Sequence, residues 1–290
     1  MSNSKLSSMA VPVAGITLGA FLVLYLAKDA FTNIHTPPCS GRYPSATEFA
    51  LMSESSTPLS AIELQARAGS DDWGVLENAR VMKAFHNAPS PLVLQVRLPK
   101  GSTSMYQAAG NGGGLTFRWQ PRAMEGATSA CLSYSVYVPP GFDFGKGGEL
   151  PGLFGGKDYK PATPADGVNG FASRPVWGVD GKGEMRLQTP SVKGGLSQAL
   201  GAPSFKLERE RWISIEQETV LNTPGLNNGV ARIWVDGVLK TERSKIAWRK
   251  DKSLTLSGVI NDVWYGGLDS KATAPADTFL ALTPSTLSWK

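Results

Sequence analysis

Leu132-Ser133-Tyr134-Ser135-Val136-Tyr137-Val138-Pro139-Pro140-Gly141-Phe142-Asp143-Phe144, followed three residues later by Gly148-Glu149-Leu150-Pro151-Gly152-Leu153-Phe154-Gly155-Gly156, decides the fold class of this 290-residue chain. Leu132, Tyr134, Val136 and Val138 alternate with Ser133, Ser135 and Tyr137, the period of a half-buried antiparallel strand. Pro139 and Pro140 end that strand because neither donates a backbone N–H. The glycines that follow read as a rigid loop leaving the strand.

The same two-residue period recurs on both sides of this stretch. Strands are expected at 92–98, 115–119, 130–138, 184–189, 212–221, 230–235, 254–260 and 279–289, with one short amphipathic helix over 71–86. Short strands without a βαβ rhythm indicate an all-β fold, a two-sheet jelly-roll sandwich of antiparallel strands. Asp236-Gly237 supplies the positive φ angles of a tight hairpin, and no internal repeat suggests a propeller or solenoid. The 32 glycines, 20 prolines and 8 tryptophans suit many turns rather than a helical bundle. Trp212, Trp234 and Trp289 lie in strand patterns, where core burial is the default.

Residues 10–27 carry no charge and lie between Lys5 and Lys28, long enough to cross a hydrocarbon core as a helix. A cleaved signal peptide is the competing reading, but Leu24-Tyr25-Leu26-Ala27-Lys28-Asp29-Ala30 offers no small-residue cleavage site. The expected organisation is therefore a cytoplasmic tail and transmembrane anchor over 1–30, a Ser/Pro/Thr-rich linker over 31–70 and an extracytoplasmic domain over 71–290. Cys39 and Cys131 form either one disulfide, permitted in an oxidising compartment, or two separate thiols.

A net charge of +5 suits a polyanionic partner, although a mildly basic surface also simply aids solubility. With only His35 and His86, histidine catalysis and a histidine-rich metal site are not expected. The Gly110–Gly114 run lacks the Lys-Ser/Thr ending of a phosphate-binding loop, and no nucleophile elbow, zinc signature or dinucleotide fingerprint is present.

The Gly148–Gly156 stretch, with Phe171-Ala172-Ser173-Arg174, Trp177, Gly183-Glu184, Trp212, Leu221-Asn222-Thr223-Pro224-Gly225 and Trp264-Tyr265-Gly266-Gly267, resembles polysaccharide lyase family 14. That family includes alginate and related polyuronate lyases. The resemblance begins near Leu94 and covers roughly two-thirds of the chain. It implies metal-independent β-elimination on an acidic polysaccharide, with no cofactor and no nucleic-acid partner; the membrane contact through residues 10–27 is read from the charge-free run, not from the resemblance. In such a reaction a cation neutralises the uronate carboxylate, a base removes the C5 proton and an acid protonates the leaving O4.

The resemblance assigns the neutralising role to Arg174, whose planar fork suits a carboxylate, and offers Tyr137 and Tyr265 as base or acid. It places Glu149, Lys157, Ser173, Trp177, Arg186, Gln188 and Trp264 along the substrate. For Tyr137, Tyr265, Trp177 and Trp264 the competing reading is core packing.

Four positions depart from the family pattern. Glu149 replaces a lysine, Ala172 a serine, and Arg186 and Gln188 two tyrosines, while Lys146 and Lys157 are nearby cations that can act from shifted positions. These departures keep a second function open, a non-catalytic relative that binds an acidic glycan through Arg174, Arg186 and aromatic faces. A third is a hydrolase using Glu149 with Glu184 or Asp143.

Overall fold

The computed structural model describes residues 36–290 except 70, 108–111, 158, 193–197, 201 and 267–271, together with the single residue Val23. Apart from Val23, the expected membrane span lies outside the described residues, among which no helix is long and apolar enough to cross a membrane.

Two short helices, α1 (Ala61–Ala68) and α2 (Val75–Asn78), accompany the strands. In chain order the strands are β1 (Ser45–Glu48), β2 (Ala79–Lys83), β3 (Leu92–Leu98), β4 (Arg118–Trp119), β5 (Ser129–Tyr137), β6 (Gly148–Glu149), β7 (Gly152–Gly155), β8 (Phe171–Trp177) and β9 (Lys182–Gln188). They continue with β10 (Gln198–Ala199), β11 (Phe205–Lys206), β12 (Trp212–Val220), β13 (Gly229–Val235), β14 (Val238–Ile246), β15 (Leu256–Ile260), β16 (Trp264–Tyr265), β17 (Thr278–Leu282) and β18 (Thr286–Trp289).

These strands form two antiparallel sheets. The first runs β14-β13-β12-β5-β17-β3-β2, with β18 also on β5 and β1 on β18. The second runs β10-β9-β8-β7-β15-β4, with β11 on β9 and β6 between β8 and β16. Leu132, Tyr134 and Val136 of β5 and Ile213 and Ile215 of β12 pack in one core with Leu153, Phe171, Leu187 and Val259 of the second sheet. Each such side chain, fully buried, contributes about 1.5–3 kcal/mol. The all-β antiparallel sandwich is thus as expected.

Polar groups cross this core in pairs. The Pro151 carbonyl accepts from Tyr134 Oη at 3.1 Å and Gln217 Nε2 at 2.8 Å, and the Ser173 and Thr219 hydroxyls meet at 2.8 Å. The Leu221–Gly225 motif has a similar structural basis. Buried Asn222 accepts from the backbone N–H groups of Trp248 and Arg249 and donates to the carbonyls of Thr223, Leu226 and Arg249.

Several expectations change. The glycine stretch is not a loop but the short strands β6 and β7, and its glycines answer to crowding. A Cβ on Gly148 would lie 2.2 Å from the Trp177 ring, and one on Gly152 would lie 2.3 Å from the Ser173 carbonyl. Residues 71–86 form only α2 before switching to β2, because Ala79 and Val81 alternate into the core. The strand expected over 279–289 breaks into β17 and β18 around Pro284. Asp236 and Gly237 do adopt φ of 51° and 74°, the hairpin anticipated from their identity.

The compact unit begins at Pro38, so most of the expected linker belongs to it. Cys39 is bonded to Cys131 of β5 with Cα atoms 5.7 Å apart, and β1 pairs with β18. Ser60 and Glu63 close a reciprocal capping box at the start of α1. This N-terminal strap covers the outer side of β5 around Cys131, and Phe85, His86 and Trp212 cover it at Tyr137, so most of that strand is buried on both faces.

Candidate active site

On the side of the second sheet turned away from the core, the ladder registers set three rows of side chains. Gln188, Ala172 and Phe154 form one row; Arg186 and Arg174 lie in the next, opposite Gly152; Glu184, Val176, Glu149 and Trp264 form the third. The pairing of Ala172 with Gln188 and of Arg174 with Arg186 brings these four residues into a single patch.

Arg174, only 3% exposed, organises that patch. Its Nη1 donates to Glu149 Oε2 at 2.6 Å and to Asp262 Oδ2 at 2.7 Å. Its Nη2 donates to Tyr159 Oη at 2.6 Å and Gln188 Oε1 at 3.4 Å. Asp262 is completely buried, and its other oxygen accepts from Thr116 Oγ1 at 2.6 Å. Burial opposes the guanidinium charge, but Glu149, Tyr159 and Asp262 outweigh it and hold Arg174 firmly protonated. Burial likewise lifts the Tyr159 phenol well above its ordinary value.

Tyr159 and Gln188 fasten a covering segment. Tyr159 Oη donates to Gln188 Oε1 at 2.7 Å, and Gln188 Nε2 donates to the carbonyls of Pro161 at 3.1 Å and Thr163 at 2.6 Å. Arg118 adds a hydrogen bond of 2.9 Å to the Tyr159 carbonyl. Gln188 is therefore a buried anchor for residues 159–163 rather than a surface group.

Beside this cluster opens a cleft of about 460 Å³ lined by Lys146, Glu149, Trp177, Lys182, Glu184 and Arg186, among others. Arg186 is one-third exposed and its Nε donates to Glu184 at 3.1 Å. Glu149 and Glu184, two carboxylates of the hydrolase alternative, share this cleft, whereas Asp143 is not in its lining and its carboxylate accepts from the Gly145 backbone N–H at 2.9 Å. Tyr106, partly exposed and edge-on to Trp264 with ring centres 5.6 Å apart, lies in the electrostatic field of Asp262 and Arg174; burial raises its phenol.

Other expected site residues lie elsewhere. Tyr137 is on the outer face of the first sheet, stacked on His86 at 5.2 Å and packed with Phe85 and Trp212, because β5 alternation sends Val136 inward and Tyr137 outward. Tyr265 points into the core, stacked on Phe142 at 5.6 Å, opposite in sense to its neighbour Trp264. Ser173 faces the core through its contact with Thr219. Trp177 packs in the core although part of it reaches the cleft, Trp264 is fully buried, and Lys157 is exposed at the start of the covering segment. Among the described residues the one group of three potential metal ligands, Cys39, Cys131 and Glu216, has its sulfurs joined in the disulfide.

Asp262, Tyr159 and Thr116 were not singled out from sequence. Asp262 precedes the Trp264-Tyr265 motif by two positions, the one signal that pointed near it. Burial pushes its carboxyl up to about 7; Glu149 adds to the rise, while Arg174 and the Thr116 hydroxyl oppose it. The folded state then binds this proton more readily than an unfolded chain, whose aspartates titrate near ~4. The associated stability is full below about pH 4 and is lost as pH rises through about 7, at roughly 1.4 kcal/mol per pH unit. Urea unfolding of the protein and Asp262→Asn between pH 4.5 and 8 is expected to show that slope in their difference; a pH-independent difference would contradict it.

The family model described as polysaccharide lyase 14 matches residues 86–282. The chain belongs to the polysaccharide lyase 14 family. No curated protein sequence gives a significant match. Among solved structures, the PL-14 alginate lyase of Aplysia kurodai is similar with a TM-score of 0.65 and 25% identity, over 76% of this chain and 90% of that one. Alginate lyase vAL-1 from Chlorella virus has a TM-score of 0.63 and 22% identity, over 73% of this chain and 89% of that one. Alginate lyase Aly36B has a TM-score of 0.65 and 17% identity, over 85% of this chain and 97% of that one. In this polysaccharide lyase 14 member Arg174 is flanked by two buried carboxylates, Glu149 and Asp262.

Proposed function

We propose that this protein cleaves a uronate-containing polysaccharide by β-elimination, on a jelly-roll sandwich held outside the cytoplasm by an anchor at residues 10–27. The observation that carries the reading is the cleft with Lys146, Lys182 and Arg186 in its walls, on a family 14 lyase domain. An ionised uronate carboxylate leaves the C5 proton far too weakly acidic, and clustered cations at a partly dehydrated cleft lower that barrier. The alginate lyases among its structural neighbours act on a polymer of this chemical class.

The test is ultraviolet absorbance of the protein incubated with polymannuronate, polyguluronate and polyglucuronate. Growth of the C4–C5 double-bond signal is expected with at least one polymer. Binding without that signal would replace the proposal by the non-catalytic reading, which one observation favours: both Nη atoms of Arg174 are already engaged by protein groups. New reducing ends without the signal would indicate hydrolysis.

The charge-free run at 10–27 and the Cys39–Cys131 disulfide support an oxidising compartment. Thiol labelling of denatured, unreduced protein from its own cells should leave both cysteines unmodified; labelling of both would count against that location.

A further inference from the structure

We infer that Glu149 is the proton-transfer group of the cleft, with Arg174 and Asp262 acting as positioning residues behind it. This deepens the lyase reading and rests on it. Glu149 lines the cleft, whereas neither Arg174 nor Asp262 does. Turning Arg174 toward a substrate would strand Asp262, a fully buried carboxylate, without its cation.

Glu149 is poised differently. Its Oε2 is held by Arg174 at 2.6 Å, and its Oε1 has no hydrogen-bond partner among the described residues. The backbone holds the carboxylate in place as well, because β6 is paired on both sides, with Val176 and Trp264 opposite Glu149. A carboxylate fixed at one oxygen and open at the other can accept and return a proton without reorganising.

The roles of the family pattern are then exchanged. Lys146, Lys182 and Arg186 on the walls take the uronate carboxylate, and the acidic residue on the floor does the proton chemistry. The Glu149 carboxylate removes the C5 proton, and the C5–H electron pair becomes the C4–C5 double bond. The C4–O4 bond breaks with its pair on O4, and protonated Glu149 returns the proton to O4, which regenerates the carboxylate. No oxidant, reductant or co-reactant enters the balance. One group performing both transfers needs C5–H and C4–O4 on the same side of the ring, as in polymannuronate and polyglucuronate.

Steady-state kinetics of the full chain on these two polymers test the assignment, using the double-bond signal, a binding measurement and thermal melting for each variant. Glu149→Gln is expected to lower kcat about 100-fold or more while polymer binding stays within about threefold. Glu149→Asp keeps the charge but withdraws the carboxylate, and supplies the same readout should the amide variant fail to fold. Asp262→Asn should lower kcat by less than about tenfold, and Arg186→Ala, which removes one of the cations that neutralise the uronate carboxylate, should raise KM and lower kcat, each about fivefold or more.

Equal losses in Glu149→Gln and Asp262→Asn would reduce Glu149 to a structural partner of Arg174 and overturn the inference. So would more than about a tenth of kcat surviving in Glu149→Gln. An unmutated protein that binds these polymers but produces no double bonds on either would overturn the lyase reading and this assignment together, an outcome distinguishable from the failures of the variants.

Discussion

Replacing both Cys39 and Cys131 with serine is expected to lower the free energy of unfolding by about 4–5 kcal/mol. The two residues are 92 positions apart, and cross-linking a loop of that size removes roughly this much chain entropy from the unfolded state. The native contacts at the bond give the cross-link something to hold. Ser40 donates through its backbone N–H and hydroxyl to Glu216, at 3.0 and 3.2 Å. Arg42 and Tyr43 reach Glu218 at 3.0 and 2.7 Å, and Arg232 binds the other Glu218 oxygen at 2.7 Å. These polar contacts lie partly in water and are individually weak, so the covalent bond is the main tie at Cys39–Tyr43, whereas Phe49, Leu51, Leu59 and Leu64 farther along the strap are buried in the core. Urea unfolding of the oxidised protein against the double variant measures the difference. A loss below about 1 kcal/mol would mean that the unfolded chain is already restricted in this region.

Arg174→Ala should cost about 3–5 kcal/mol, far more than an exposed ion pair. The substitution leaves Glu149 and Asp262 facing each other in a site with 5% and no side-chain exposure, respectively, and removes the donor shared by Tyr159 and Gln188. One carboxylate must then take up a proton or draw water into the sheet face. Arg174→Lys keeps the charge but cannot span four acceptors with a planar fork, so an intermediate loss is expected. The melting temperature and urea midpoint of both variants check this order, and an alanine variant within about 1 kcal/mol of the parent protein would show that the ion cluster contributes no net stability.

Much of the fold was legible because strand signals are local. β3, β5, β12 and β13 fall close to their expected positions, since each alternates over several residues. β8 was not recognised as a strand because all seven of its residues are buried, which erases the alternation. β14 was missed for the opposite reason: Lys240, Glu242, Arg243 and Lys245 make it a charged edge strand. The site was legible in part. Arg174, Glu149, Arg186 and Gln188 do lie together, as the motif spacing suggested. Tyr137 does not join them, because alternation gives two faces without saying which is covered by the other sheet and which by the Phe85–His86 turn.

By itself the sequence determined the β-rich class, the Asp236-Gly237 hairpin and membership of a lyase family, all properties carried by residues adjacent or nearly adjacent along the chain. Only the tertiary structure decided what Arg174 does. Its two carboxylate partners lie 25 and 88 positions away, and their effect on it depends on being brought within 2.7 Å in a largely buried site. Burial and long-range pairing set whether a guanidinium meets a substrate or its own protein's carboxylates, and neither is a property of the residues next to it.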